Sequence, residues 1–350
     1  MTFKNQLRTQ AALHPSMQPQ DVLKMCYQAA FGAEHLLTDE QSARDYLTRE
    51  WEAVPGDSDE ALYERISNEV CRLNLRAWKG QNLPMDWLLQ LFVLSCRPLP
   101  NAQNRFFAFL GSVDALCAAD GLPFGTDEWK AAKESYLHEG LRPVHHSDIY
   151  RQAEKPAYRV MDTTFLRLLP LLLSAHAAGQ KGQAKVIAVD GRAAGGKSTL
   201  ASQFHQVTGA GIIHMDDFFL PFDLRTEERL STPGGNVHYE RFATEVLPHL
   251  ATGESFTYER FDCSQMTISG VREVPAGEIR LVEGSYCCHP ALGEYMDLRV
   301  FSDVTPREQL HRIQNRESAE MTQMYTERWI PLEEKYFKSY AIRDRADLTV

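Results

Sequence analysis

The sequence predicts an α/β domain, built in three layers around a mainly parallel sheet from residues 184–350 and preceded by a separate all-α domain of residues 1–178. Two observations predict this organisation. From Lys185 onward, short β-branched apolar runs alternate with amphipathic segments, a pattern typical of βα units. Before residue 178, apolar residues recur at helical spacing, and the stretch GQKGQ at 179–183 is typical of a linker.

The first domain is predicted to consist of helices, because start and stop residues frame its apolar segments. Asp21 is suited to cap a helix that ends at Gly32, and Thr38 forms a capping box with Gln41. Apolar residues at helical spacing predict one long helix over 61–78. The full set of predicted helices covers residues 21–31, 38–54, 61–78, 84–96, 102–119, 126–139 and 158–178.

The second domain is predicted to alternate strands and helices, which favours a parallel sheet with crossover helices. Ligands of such sheets gather at the carboxyl ends of the strands, so the residues there are candidates for a site. The predicted strands cover residues 185–190, 211–215, 279–283, 297–302 and 347–350, and the predicted helices cover 197–206, 239–250 and 306–316.

A polar stretch at 141–161 stands out in the first domain. It carries His145, His146, Tyr150, Arg151, Tyr158 and Arg159. One interpretation is a second polar site for an anion, with His and Arg side chains as donors. The other is a helix–helix connection whose side chains satisfy loop backbone groups. The second is favoured because the spacing matches no metal or nucleophile motif.

Residues 191–198, GRAAGGKS, fit the phosphate-binding loop pattern G-x-x-x-x-G-K-[ST], with a predicted strand before and a predicted helix after. Glycines let the backbone N–H groups approach phosphate oxygens, and the helix adds its positive end. Lys197 is suited to reach the β- and γ-phosphates of ATP, and the Ser198 hydroxyl suits Mg²⁺. The predicted nucleotide-binding residues are Gly191, Arg192, Ala193, Ala194, Gly195, Gly196, Lys197, Ser198 and Thr199.

Carboxylates follow two further predicted strands. Asp216 and Asp217 come after the second strand, and Glu283 ends the third. Unpaired carboxylates are costly to bury, so two consecutive acids at a strand end are not a core pattern. Asp216 is placed to accept a proton from an attacking hydroxyl or to position Mg²⁺ through water, and Glu283 to hold the metal. Ser198, Glu283 and Asp216 are the predicted metal residues.

The segments DGRAAGGKSTLA, DDFF and VEG, in this order, resemble the uridine kinase-like group of P-loop kinases over residues 184–350. The resemblance implies a P-loop NTPase fold and transfer of the γ-phosphoryl group of ATP to a hydroxyl of a nucleoside-like acceptor. It implies Asp216 as catalytic base, with Lys197 and the lid arginines Arg312 and Arg316 stabilising the transferring group. The residues implied for the acceptor are Asp217, His238, and Tyr258 or Phe261 as the aromatic contact.

Two departures from this group leave the acceptor open. His238 stands where uridine kinases carry an acid that contacts the ribose, and Arg316-Glu317-Ser318 replaces their arginine-rich lid run. Nicotinamide riboside, pantothenate and sugar acids are therefore alternative acceptors. A nucleotide-dependent switch, with the helical half as effector, is an alternative of another class, although the guanine-reading N-K-x-D motif is absent from the sequence.

Composition and charge also bear on partners and location. The formal net charge of −10 argues against a nucleic-acid partner. The longest apolar stretch, 165–179, is interrupted by polar residues and is too short to span a bilayer. The seven cysteines lack any C-x-x-C motif and no secretory signal is visible at the N-terminus, which predicts reduced thiols and a cytoplasmic location. The oligomeric state is left open.

Overall fold

A computed structural model describes residues 2–178 and 183–350 of the chain. The chain divides into two compact units, Met1–Leu166 and Arg167–Val350. This division precedes the predicted boundary, because the helix Leu169–Ala177, predicted as the end of the first domain, packs against two strands of the second unit. Of the predicted linker, only Gln183 lies within the described residues.

Helices make up most of the first unit, as the sequence predicts. Helix α2 lies at its centre, since it packs against α6 and α7 and its apolar side chains, such as Met25 and Cys26, are fully buried. Burial of each such side chain contributes about 1.5–3 kcal/mol. The helices are α1 Phe3–Leu13, α2 Pro19–Phe31, α3 Glu40–Ala53, α4 Leu75–Gly80, α5 Met85–Ser95, α6 Ala102–Cys117, α7 Thr126–His138 and α8 Asp148–Glu154.

The first unit also contains an antiparallel sheet, so the prediction of an all-α domain is wrong. Its strands are β1 Tyr63–Arg65, β2 Val70–Asn74 and β3 Tyr158–Asp162, in the order β1-β2-β3. Strands β1 and β2, with the turn between them, occupy residues 63–74 of the predicted helix over 61–78, and β3 occupies the start of the one over 158–178. The Ser67 hydroxyl accepts the backbone N–H groups of Glu69 and Val70 at 3.2 and 3.0 Å, which turns the chain between β1 and β2.

The second unit alternates strands and helices. Its strands are β4 Lys185–Gly191, β5 Gly211–His214, β6 Phe256–Asp262, β7 Thr267–Val274, β8 Ile279–Glu283, β9 Leu298–Ser302 and β10 Leu348–Thr349. Its helices are α9 Leu169–Ala177, α10 Lys197–Thr208, α11 Glu227–Ser231, α12 Tyr239–Glu245, α13 Leu247–Leu250, α14 Pro306–Arg316, α15 Ala319–Met324 and α16 Ile330–Ser339.

Five of these strands form a parallel sheet in the order β10-β9-β4-β8-β5, which confirms the predicted α/β class. The register places Val189 of β4 and His214 of β5 beside Glu283 of β8, so the carboxyl ends of these strands meet at one edge. The antiparallel hairpin β6–β7 was not predicted. Within the described residues, none of the helices has the length and apolar character needed to cross a membrane.

Candidate functional site

Glycines shape the loop that follows β4. Gly191 and Gly196 have φ angles of 136° and 89°, a region that residues with a Cβ rarely adopt. A Cβ on Gly191 would lie 2.2 Å from the carbonyl oxygen of Ser302, at the end of β9. Helix α10 begins at Lys197, directly after Gly196, so its positive end faces the loop. Residues 191–198, named the phosphate loop after the pattern that they fit, therefore connect a strand to a helix as that pattern requires.

An arginine that the sequence did not identify holds this loop. Arg167 donates hydrogen bonds to the carbonyl oxygen of Gly195 at 2.8 Å, to the Ser302 hydroxyl at 2.8 Å and to the carbonyl oxygen of Val350 at 3.0 Å. Arg167 therefore ties the loop to β9 and to the end of the chain. The sequence did contain a signal for Arg167, because this charged residue lies within the mostly apolar stretch 165–179.

Lys197 folds back onto the loop. Its Nζ donates to the carbonyl oxygens of Gly191 and Arg192 at 2.8 and 3.0 Å, and to the Ser285 hydroxyl at 3.3 Å. A cation held by neutral acceptors at a loop of backbone N–H groups is suited to bind an anion. The role of Lys197 toward phosphate stays a prediction.

Oxygen ligands gather beside Lys197. The Ser198 hydroxyl donates to Glu283 Oε2 at 3.2 Å, and the other oxygen of Glu283 lies 2.7 Å from His214 Nδ1. Glu283 is buried, whereas Ser198 and the next residue, Thr199, are exposed. Hydroxyl and carboxylate oxygens are the ligands that Mg²⁺ prefers, so Ser198 and Glu283 fit the predicted metal. His214 was not predicted, although it directly precedes the acidic segment.

The neighbouring carboxylates Asp216 and Asp217 occupy opposite environments. Asp216 is exposed, and within the described residues it receives no hydrogen bond and forms no ion pair. Two causes raise the pKa of Asp216: the larger is loss of surrounding water, and the smaller is the negative charge of Glu283. The positive charge of Lys197 acts to lower it. Asp216 is therefore an unpartnered carboxylate within electrostatic reach of the phosphate loop.

The carboxylate of Asp217 is engaged in hydrogen bonds within the protein. It is only 4% exposed, and its Oδ2 accepts hydrogen bonds from Tyr258 Oη at 3.1 Å and from Arg272 Nε at 2.5 Å. Tyr258 is 2% exposed and also accepts the backbone N–H of His214 at 3.1 Å. Asp217 and Tyr258 thus support the segment that carries Asp216, rather than presenting free groups to an acceptor as predicted.

The other predicted acceptor residues do not converge on an open surface. Phe261 is 5% exposed, so its ring offers no free face. His238 is half-buried at the start of α12, and its backbone N–H donates to the carbonyl oxygen of Phe218 at 2.7 Å. Burial lowers the pKa of His238, so the ring is favoured in its neutral form. Of the predicted acceptor residues, His238 alone is partly accessible.

The predicted lid arginines differ in the residues that they contact. Arg312 of α14 donates to the carbonyl oxygen of Ala194 in the loop at 3.1 Å and also pairs with Glu308 at 2.8 Å. Arg316, at the end of α14, pairs with Glu317 at 2.7 Å and donates to Tyr325 Oη at 3.1 Å. Arg312 is thus in contact with the loop, and Arg316 is held by Glu317 and Tyr325.

A carboxylate from α16 reaches into the phosphate loop. Glu333 Oε2 accepts the backbone N–H of Ala193 at 2.9 Å, and Oε1 accepts the Ser285 hydroxyl at 2.7 Å. Burial raises the pKa of Glu333, and the charge of Lys197 opposes that shift. Arg192 pairs with acids on both sides of the loop, Asp303 at 3.2 Å and Glu334 at 3.1 Å. No sequence motif pointed to Glu333.

Asp190, the residue before the loop, joins three segments of the unit. Its fully buried carboxylate accepts the backbone N–H groups of Gly191, Tyr286 and Cys288 at 2.7, 3.2 and 3.0 Å, and the hydroxyl of Tyr336 at 2.8 Å. Burial raises its pKa despite these donors. The sulfurs of Cys287 and Cys288 lie within 4.8 Å of it, but its oxygens are occupied by hydrogen bonds.

Asp190→Asn is expected to destabilise the protein by about 3 kcal/mol, because an amide nitrogen cannot accept the hydrogen bonds at one side of the carboxyl. Urea unfolding followed by circular dichroism measures this change. Tyr336→Phe removes one donor only and is expected to cost about 1 kcal/mol. Equal losses in the two variants would show that Asp190 does not organise the loop.

No family model and no curated protein matches the sequence. Among the solved structures that match is a protein described as a possible uridine kinase from Bacillus stearothermophilus, at 19% identity and a TM-score of 0.41, over 53% of this chain and 98% of that chain. Another is a protein proposed to be a fructose transport system kinase, from a Silicibacter species, at 20% identity and a TM-score of 0.36, over 49% of this chain and 91% of that chain.

Proposed function

We propose that the second unit is an ATP-dependent kinase that transfers a phosphoryl group to a hydroxyl of a small molecule. The observation that carries this proposal is the unpartnered Asp216 beside the phosphate loop. Its neighbours Asp217 and Glu283 are buried and hydrogen-bonded, whereas Asp216 is exposed and open to a further ligand. A loop that only binds nucleotide has no use for such a group, whereas transfer to a hydroxyl needs an acceptor for its proton.

The residues divide into two roles in this proposal. Asp216 orients the acceptor hydroxyl and takes its proton, a task that its raised pKa favours because a weaker acid is a stronger base. Lys197 and Arg312, both already in contact with loop carbonyls, stabilise negative charge on the transferring group. Arg316 joins them in this role if its contacts with Glu317 and Tyr325 open.

We propose that Mg²⁺ accompanies the nucleotide. Ser198 and Glu283 supply oxygen ligands 3.2 Å apart, and Asp216 acts electrostatically on Glu283 from close by. When bound, the ion would neutralise charge on the phosphate oxygens. The chain's own contribution is to hold the Glu283 carboxylate in place through His214, at 2.7 Å.

We propose a nucleoside-like acceptor, with nicotinamide riboside, pantothenate and sugar acids as alternatives. The order of the phosphate loop, DDFF and VEG segments supports a nucleoside. His238, in place of an acid, supports the alternatives. The burial of Tyr258 and Phe261 removes the aromatic contact that would favour a nucleoside over the alternatives.

The test is ATP consumption by the full chain with Mg²⁺, against nucleosides, vitamins and sugar acids in turn. The proposal expects acceptor-dependent consumption, with a phosphorylated product identified by mass spectrometry. ATP binding without acceptor-dependent consumption on any member of the panel would contradict the proposal and favour a nucleotide-dependent switch.

Glu333→Gln is expected to tighten ATP binding by about fivefold, because it removes a negative charge from the loop that receives the phosphates, an effect of about 1 kcal/mol. The amide keeps an oxygen that can accept the Ala193 N–H. Calorimetric titration with ATP measures the change, and Glu334→Gln, which removes the neighbouring charge that pairs with Arg192, is the control. Weaker binding in Glu333→Gln would instead show that the carboxylate shapes the loop for ATP.

A further inference from the structure

A cavity of about 270 Å³ lies in the first unit, between helix α1, helix α6 and the turn that joins β1 to β2. Its walls include Phe3 and Gln6 of α1, Ala108 and Phe109 of α6, and the turn residues 67–69. An engineered apolar cavity of about 150 Å³ is large enough to bind benzene. The cavity of the first unit therefore suits a molecule of one or two rings.

One wall of this cavity is apolar and aromatic. The rings of Phe3 and Phe109 stack on each other, with their centres 4.0 Å apart and their planes at 23°. Ala108, next to Phe109, adds a small apolar side chain to the same wall and is exposed. Apolar surface that packs on such a wall leaves water with a gain in free energy, and aromatic rings also attract one another. The wall therefore favours an aromatic body in a bound molecule.

Gln6 adds an unpaired amide to the lining of this cavity. It is only 3% exposed, and within residues 2–178 and 183–350 neither its amide nitrogen nor its amide oxygen has a hydrogen-bond partner. Both atoms are shielded from the solvent around the protein, so water at the surface does not satisfy them. Buried polar atoms without a partner cost free energy and are rare in folded proteins. A molecule in the cavity can supply both missing partners.

The charged groups of the lining are paired with each other. Arg105 Nη2 donates to Glu69 Oε2 at 2.6 Å and to the carbonyl oxygen of Ala29 at 2.9 Å. The Ser67 hydroxyl donates to the same oxygen of Glu69 at 3.3 Å. The positive charge of Arg105 thus compensates the negative charge of Glu69. Because an ion that leaves water needs an unpaired opposite charge, the cavity favours a neutral molecule.

We propose that this cavity binds a small neutral molecule of one or two rings that carries an amide edge, meaning a hydrogen-bond donor beside an acceptor. The flexible side chain of Gln6 turns toward that edge. Its own donor and acceptor then form two hydrogen bonds, as a glutamine does with the edge of adenine. The ring packs on Phe3 and Phe109. Aromatic carboxamides and nucleobases both have such an edge. The site lies in the first unit and is independent of the kinase proposed for the second.

Hydrogen exchange in the full chain tests this site, because peptides covering 2–13, 66–75 and 102–117 report on the first unit alone. The probes are benzamide, uracil and benzyl alcohol, which has a ring but no amide edge. Benzamide or uracil is expected to slow exchange at a concentration about tenfold or more below that of benzyl alcohol. Stronger protection by uracil identifies a nucleobase, and by benzamide an aromatic carboxamide. Absence of protection by both, or equal protection by benzyl alcohol, would overturn the proposal.

Variants connect this protection to the cavity. Gln6→Met keeps the length of the side chain without the amide, and is expected to raise the concentration of benzamide or uracil for half protection about tenfold or more. Ala108→Trp fills the cavity from an exposed position and is expected to abolish protection. Gln103→Met, the matched control, changes an exposed glutamine of α6 outside the lining and is expected to leave protection unchanged. Equal protection in Gln6→Met and Gln103→Met, or full protection in Ala108→Trp, would overturn the proposal.

Discussion

Lys197→Ala is expected to lower kcat/KM for ATP by about a thousandfold or more, since catalysis of phosphoryl transfer rests on positioned charge. The Nζ of Lys197 already lies 2.8 and 3.0 Å from two loop carbonyl oxygens, so the cation is in place before the nucleotide binds. Alanine leaves the loop backbone and its glycines unchanged. ATP affinity is expected to fall by about tenfold, the effect of one lost charge-assisted hydrogen bond.

Steady-state kinetics with the best acceptor and calorimetric titration with ATP measure the two effects of Lys197→Ala. Lys338→Ala is the matched control, because Lys338 is an exposed lysine of the same unit without a side-chain partner in the described chain. A Lys197→Ala protein that retains more than a tenth of the activity would show that the lysine does not act on the transferring group.

The central sheet of the second unit was predictable because several signals coincide there. Runs such as VIAV at 186–189 are buried and rich in β-branched residues, and turn or loop residues follow each run. The phosphate-loop pattern fixes one strand and one helix together. The hairpin β6–β7 escaped prediction because most of β7 is exposed, so its residues lack the apolar alternation of a half-buried strand.

The sheet of the first unit was missed for a different reason. Four of the five residues of β2 are buried, so the strand shows no alternation and its apolar residues fit a helical spacing equally well. The distinction depends on the turn at Ser67 and on pairing with β3, whose residues are far away in the sequence. Such pairing is a tertiary effect that local propensity does not encode.

The loop and the strand ends of the candidate site were predictable, but the residues that hold the loop in place were not. Only the resemblance assigned the role of base to Asp216 rather than to Asp217, because the turn after β5 decides which of these two identical residues is exposed. Glu333 and Arg167 contact the loop from distant parts of the chain, through bonds to Ala193 and Gly195. Their importance arises from packing, which no local motif records.

Asp216→Asn is expected to lower kcat by about a hundredfold to ten-thousandfold, the usual contribution of a general base. Asparagine has nearly the same shape, and the structure gives Asp216 no partner in the described chain whose loss would disturb the fold. The carboxylate must be deprotonated to act, and the pKa of Asp216 is raised. As the pH is lowered, activity is therefore expected to fall at a higher pH than it would with an aspartate of ordinary pKa. The rate should therefore rise as pH increases through that pKa.

The most direct test of the kinase proposal measures ATP binding and acceptor phosphorylation side by side in the unmodified chain, Asp216→Asn and Asp223→Asn. Asp223 is a nearby exposed acid without a side-chain partner in the described chain and serves as control. The expected result is unchanged ATP affinity in all three proteins, with phosphorylation lost in Asp216→Asn alone. Phosphorylation by Asp216→Asn at the rate of the unmodified chain would contradict the proposal.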